Sequence, residues 1–137
     1  MGRFEETKIW INMAKRDLKT VENLINNGRY PIACFMAQQA VVKAIKGYID
    51  YIKKGDIESE SIYELTTFVG NRDPIFSQIQ SAISLDQFYY PTRYPDCLPG
   101  GTPYDIYDLD SAKSAKKKAK KAVDMVLSNL DLTVEEE

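Results

Sequence analysis

Pro31-Ile32-Ala33-Cys34-Phe35-Met36-Ala37-Gln38-Gln39-Ala40-Val41-Val42-Lys43-Ala44-Ile45-Lys46-Gly47-Tyr48-Ile49-Asp50-Tyr51-Ile52-Lys53 decides the architecture of this chain. Ala33, Ala37, Ala40, Val41, Ala44, Ile45, Tyr48, Ile49 and Ile52 recur at helical spacing and form one apolar stripe. Phe35, Met36 and Val42 add apolar surface on other faces. A helix that is apolar beyond one stripe belongs at the centre of a bundle or is shared with a second chain. Pro31 suits its first turn, where a missing N–H costs nothing. Lys54-Gly55 marks its end.

The flanking segments read the same way. A first helix spans about Phe4 to Asn26, with Trp10, Met13, Ala14, Leu18, Val21, Leu24 and Ile25 on one stripe. Asn27-Gly28 ends it, because glycine accepts the left-handed conformation past a helix terminus. Ser61-Ile62-Tyr63-Glu64 has the form of a capping box opening a short third helix, which Gly70-Asn71 closes. Asp73-Pro74 starts a fourth helix as N-cap and first residue, with Phe76, Ile79, Ala82 and Ile83 expected inside. Asp108 or Asp110 caps a fifth, running to about Leu130. No strand alternation, internal repeat or long linker interrupts the pattern. The expected fold is all-α, an up-and-down antiparallel bundle of about five helices. Residues 1–130 form a single domain, and residues 131–137 form an acidic C-terminal tail.

Composition narrows the function classes. The chain has 137 residues, a net charge of −2 and two cysteines. That charge gives no global drive toward nucleic acid or acidic lipid, and two cysteines make no disulfide framework. Cys34 reads as a small core residue and Cys97 as a loop residue. No apolar run reaches the roughly 20 residues that span a bilayer, and Met1-Gly2-Arg3-Phe4-Glu5-Glu6 does not read as a signal peptide. The expected compartment is the cytoplasm. Histidine is absent, which excludes a Ser-His-Asp triad, a Cys-His pair, a histidine base and most zinc sites.

The segment Tyr89-Tyr90-Pro91-Thr92-Arg93-Tyr94-Pro95-Asp96 is the chemically dense loop. Its two prolines remove backbone donors and are expected to hold Tyr90 and Tyr94 extended. An arginine fork beside phenol rings suits a planar, anionic ligand. The structural alternative is that the rings plug one end of the bundle while Arg93 pairs with Asp96. Asp105, Asp108 and Asp110 have a spacing compatible with a hard cation, but helix capping explains them more simply, so no metal site and no cofactor is assigned. Lys113, Lys116, Lys117, Lys118, Lys120 and Lys121 alternate with Ala112, Ala115, Ala119, Ala122, Val123 and Val126, so the lysines fall on the solvated face of the last helix. With no aromatic or arginine among them, a weak, salt-sensitive phosphate or RNA contact is the most they support.

Gly28-Arg29-Tyr30-Pro31, then Gln38-Gln39-Ala40-Val41-Val42-Lys43-Ala44-Ile45-Lys46, then Arg93-Tyr94-Pro95-Asp96 resemble, in this order, the motifs of HEPN (higher eukaryotes and prokaryotes nucleotide-binding) domains. The resemblance covers roughly Phe4 to Leu130. It implies a five-helix fold around an antiparallel bundle core, usually dimeric. In prokaryotes such proteins are commonly encoded beside a minimal nucleotidyltransferase, often as a toxin-antitoxin pair. RNase-active relatives place a histidine a few residues after an arginine, which this chain lacks. Val42 stands where the family usually has glutamate, and Tyr63-Glu64-Leu65 stands where it usually has a histidine ahead of leucine.

The expected site joins two segments. Gln39, Lys43 and Lys46 share one helix face by their spacing. If the proline loop folds over that face, Arg93 grips phosphate, Lys43 adds a second charge, Tyr90 or Tyr94 stacks a base, and Asp96 lies alongside. The expected role is binding of a nucleotide or a nucleotidyltransferase partner by a homodimer, with no catalytic residue assigned. A HEPN-type ribonuclease and a structural helical adaptor are the alternatives.

Overall fold

The computed structural model describes residues 4–133. Two long helices form its frame, α1 (Glu5–Asn26) and α2 (Tyr30–Tyr51). They are antiparallel: Thr7 Oγ1 donates to Asp50 Oδ2 at 2.7 Å near one end, and Lys43 Nζ meets Asp17 Oδ2 at 2.6 Å further along. Gly28, at φ 73°, turns the chain between them, and Arg29 N closes the turn on Leu24 O at 2.8 Å. The two helices approach closely at Gly47, where an added Cβ would lie 3.0 Å from Trp10 Cβ and 3.2 Å from Ile11 Cδ1.

α2 is the central helix, as its surplus of apolar residues indicates. It packs most extensively against α1 and α6 (Leu109–Ser128), and also against α3 (Ile62–Val69) and a long 3-10 segment, Gln80–Phe88. Ala33, Ala37, Ala40, Val41, Ala44, Ile45, Tyr48 and Ile49 are buried. Val42 is buried as well, so the chain itself consumes part of the surface expected to face a partner. Phe35 and Met36 stay half-buried. From α6, Ala112, Ala115, Ala119, Ala122, Val123 and Val126 complete the core, the stripe expected from spacing. On α1 the expectation is corrected. Ile11, Ala14 and Val21 are inside, whereas Met13 is exposed and Trp10 half-buried, because α1 turns only a narrow stripe toward α2.

The leg between α2 and α6 departs most from simple helix reading. α4 (Pro74–Gln78) is one turn long and hands over to the 3-10 segment. Asp73 caps α4 through Ile75 N at 3.0 Å and also receives the Tyr48 hydroxyl at 2.8 Å. Ile75, Ile79 and Ala82 are buried, while Phe76 and Ile83 are only partly so. This segment runs back along α2 from Tyr48 toward Phe35, antiparallel to it. A 3-10 turn (Pro95–Cys97) and the single-turn α5 (Pro103–Ile106) follow, and α6 then runs parallel to α2. Among the described residues the fold is all-helical, without strands, and no helix is long and apolar enough to cross a membrane. Of the acidic tail, residues 131–133 are described, and Asp131 N donates to Tyr51 Oη at 3.2 Å. Residues 134–137 lie outside the described residues.

Candidate functional site

The Tyr89–Asp96 loop is a wound turn rather than an extended strand. Tyr90 O accepts from both Arg93 N and Tyr94 N at 3.0 Å, which corrects the expected extended conformation of Tyr90. Pro91 occupies the second position of this turn, where its fixed φ is favourable, and so it continues the 3-10 segment for one more turn. Thr92 is buried and donates to Phe88 O at 2.5 Å, which ties the turn to the core.

That winding places Arg93 in an aromatic cage. Its guanidinium carbon lies 4.2 Å from the Phe35 ring centroid, 4.6 Å from that of Tyr89 and 5.0 Å from that of Tyr94. Arg93 Nε and Nη2 both donate to Tyr89 O, at 2.8 and 2.5 Å. A guanidinium carries five N–H groups, so three remain, two on Nη1 and one on Nη2, at the outer end of the fork. Among the described residues Arg93 makes no ion pair. Asp96 is exposed and does not neutralise it. Tyr90 is 59% exposed and Tyr94 47%, with ring centroids 6.2 Å apart. A half-buried cation thus keeps unused N–H groups beside the accessible Tyr94 ring, which Tyr90 adjoins.

The structure does not bring Lys43 to this cage. Arg93 stacks on Phe35, eight residues before Lys43 and about 12 Å away along the helix axis. Lys43 turns instead to Asp17 on α1, with both side chains largely buried. Gln39 and Lys46 do come together, because both reach Glu60: Gln39 Nε2 at 3.1 Å from Oε1 and Lys46 Nζ at 2.5 Å from Oε2. The same network continues through Gln38, whose Nε2 donates to Glu60 O at 2.7 Å and to Asp86 Oδ1 at 3.1 Å. Asp86 also accepts from Ile62 N, Tyr63 N and Ser61 Oγ, so it caps α3. Ser61 accepts from Glu64 N as expected. The reciprocal half of the capping box is replaced, since Ser61 N goes to Ser59 Oγ and Ser59 in turn donates to Glu64.

A cleft of about 760 Å³ opens elsewhere, between the start of α1, the end of α2 and residues 55–60. Lys46 lies 5.5 Å over the Trp10 ring inside it. Glu6, Asp50, Asp56, Glu58 and Glu60 outnumber Lys46 and Lys53 on its walls, so it repels a phosphate. This cleft was not expected from sequence. Its acidic residues are scattered over three segments that only folding brings together, and Trp10 read as core.

Of the three aspartates whose spacing is compatible with a cation, Asp105 and Asp108 cap helices and Asp110 lies in the first turn of α6. Asp105 accepts from Thr102 N and Oγ1, and Asp108 from Ser111 N and Oγ. These hydrogen bonds, to backbone first and hydroxyl second, hold both carboxyls below their ordinary range. Among the described residues no group of three or more Cys, Asp or Glu side chains is placed to hold a metal ion.

The HEPN domain family matches residues 7–130, nearly the whole described chain. The chain belongs to the HEPN family. Two solved structures are similar to this HEPN domain over almost their full length. TT1696 from Thermus thermophilus shares 30% identity, with a TM-score of 0.81 over 91% of this chain and 98% of that one. ST0689, an archaeal HEPN homologue, shares 28% identity, with a TM-score of 0.75 over 93% and 99%. No curated protein matches. Within this HEPN domain, the Gln38-Gln39 pair of the family-like segment ties α2 to the start of α3 and to the last turn of the 3-10 segment. The Arg93-Tyr94-Pro95-Asp96 segment supplies the caged cation.

Proposed function

We propose that this HEPN domain is a binding module without catalysis of its own, taking the phosphate of a nucleotide at Arg93. The observation that carries this reading is the Arg93 cage: a planar cation with no carboxylate partner among the described residues, stacked on the exposed Tyr94 ring, with the exposed Tyr90 ring 6.2 Å beyond Tyr94. Guanidinium forks match phosphate oxygens bidentately, and a neighbouring ring stacks a base. Lys43 and Lys46 drop out of the ligand set, since each already serves a carboxylate. The nucleotide so held is free, or is carried by a minimal nucleotidyltransferase paired with this chain in a toxin-antitoxin module. A ribonuclease of the HEPN type is the disfavoured alternative, since the histidine such relatives use has no counterpart here. Histidine is absent, and Asp86 spends its carboxylate on four donors.

The module acts as a two-fold homodimer. Ile9 is 55% exposed and Met13 37%, four residues apart on one face of α1, next to the half-buried Trp10. Burying that face against a second copy removes apolar surface from water.

Calorimetric titration with adenosine and guanosine triphosphates tests the site. Arg93→Lys keeps the charge and loses the planar fork, so affinity is expected to fall about tenfold. Equal affinity in wild type and variant, or no binding by either, overturns the assignment.

A further inference from the structure

We propose that the outer face of α6 binds the phosphate backbone of double-stranded nucleic acid, independently of the Arg93 cage. Ala112, Ala115, Ala119 and Ala122 are buried against α2 and its neighbours, and this fixes which way the helix faces. Lys113, Lys116, Lys117, Lys120 and Lys121 are thereby aligned along a shallow groove of about 570 Å³, with Asp124 as the single carboxylate on its walls. Lys120 is paired with Asp124 at 2.8 Å. The remaining four, Lys113, Lys116, Lys117 and Lys121, have no carboxylate partner among the described residues.

The net charge of −2 does not oppose this. Charges are screened over about 8 Å at physiological salt, so a ligand on α6 feels α6. Among the described residues α6 itself carries Asp110 and Asp124, with Asp108 at its cap, against six lysines, while five carboxylates gather around the Trp10 cleft. From Lys113 to Lys121 the helix rises about 12 Å, a distance over which duplex DNA carries several phosphates. The buried alanine stripe holds the lysine backbones in place before any ligand arrives.

The character of the face selects the partner. No aromatic ring lines the groove, so it lacks the stacking platform that single strands use. It holds no arginine, asparagine or glutamine to fork onto base edges, and its lysines are flexible point charges suited to the phosphate backbone, so contact is expected to be independent of sequence. Met125 is its only apolar side chain and is half-buried, which leaves nothing to insert into a lipid surface.

Fluorescence anisotropy of the full chain against a labelled mixed-sequence DNA duplex, over a salt series starting at low ionic strength, tests this. One phosphate per unpaired lysine gives a slope of log K against log salt of about −3.6. In the Lys113→Gln/Lys117→Gln/Lys121→Gln variant the slope falls to about −0.9, and low-salt affinity drops at least about tenfold. All three lysines are exposed, so circular dichroism and melting temperature stay unchanged. Arg93→Ala binds the duplex as wild type does, which keeps this result separate from that of the nucleotide site. Absence of duplex binding at low salt overturns the proposal, as does a slope unaltered in the triple variant. Tighter binding to a single strand or to phosphatidylserine vesicles than to duplex overturns it equally.

Discussion

Asp86 Oδ1 accepts the backbone N–H of Ile62 at 2.8 Å, so a residue of the 3-10 segment caps a helix that begins 24 positions earlier in the chain. The same carboxylate takes Tyr63 N, Ser61 Oγ and the fully buried Gln38 amide. One side chain thereby fixes α2, α3 and the 3-10 segment to one another. Asp86→Ala leaves all four donors without this acceptor. With about 1 kcal/mol for a lost cap and 1–3 for a buried donor left unsatisfied, destabilisation of about 2–4 kcal/mol is expected. Urea melts of the two proteins give the value. A loss under about 0.5 kcal/mol would show that the network relaxes around the gap.

Lys43 and Asp17 form the other polar tie, between α1 and α2, with side chains 20% and 11% exposed. Removing one partner strands a charge in a mostly dry place. Lys43→Ala is expected to cost about 2–4 kcal/mol, and the double replacement Lys43→Met/Asp17→Leu much less. A double-mutant cycle on thermal unfolding checks this. Nucleotide affinity should stay at the wild-type value in Lys43→Ala, and a tenfold loss there would return Lys43 to the ligand set.

Gly47 sets the closest approach of the two long helices. Alanine there gains about 1 kcal/mol in helix propensity. Its Cβ would meet Trp10 Cβ at 3.0 Å, a position with no rotamer freedom, and Ile11 Cδ1 at 3.2 Å. Overpacking of this kind costs about 1–3 kcal/mol, so the clash wins and Gly47→Ala lowers the melting temperature by a few degrees. A melting temperature at or above that of wild type would mean that α1 shifts freely.

The two thiols should behave oppositely. Cys97 is exposed, while Cys34 is buried, and burial first, the nearby Asp108 charge second, push its thiol up to about 12. At pH 8 a thiol reagent is expected to label one site in the folded chain and two in denaturant. An unfolded cysteine titrates near 8.5. Between there and about 12 the unfolded state has released a proton that the folded state keeps, so stability falls as pH rises. The slope from Cys34 is at most about 1.4 kcal/mol per unit. Burial and Asp73 raise the Tyr48 hydroxyl in the same sense. Melting curves between pH 8 and 11 measure this decline, and Cys34→Ala should flatten it. An unchanged melting temperature across that range contradicts it.

Assembly is checked by sedimentation. Met13→Asp places a charge in the exposed apolar face of α1 and is expected to shift a micromolar sample from dimer to monomer. A wild-type protein that sediments only as a monomer removes the dimer from the proposed function.

Local periodicity by itself determined the long helices, because burial of α2 and α6 follows spacing: Ala33 to Ile49 and Ala112 to Val126 are inside as their registers require. Caps at Ser61, Asp73 and Asp108 were equally legible, since each depends on residues within three positions. Three things were decided only by tertiary structure. The fourth helix became mostly 3-10, and Tyr90 wound into a turn, since the segment has to follow α2 while handing Asp86 to α3. Gln39, Lys43 and Lys46 share a helix face by spacing, yet Asp17 and Glu60 draw Lys43 away from the other two. Arg93 was marked by its chemistry, but its cage depends on Phe35, which lies 58 positions away and is brought to it by the fold. Helix and cap signals are local free energies read from neighbours in sequence. A charged side chain's partner is set by whichever opposite charge or ring the fold delivers, and that information is spread over the whole chain.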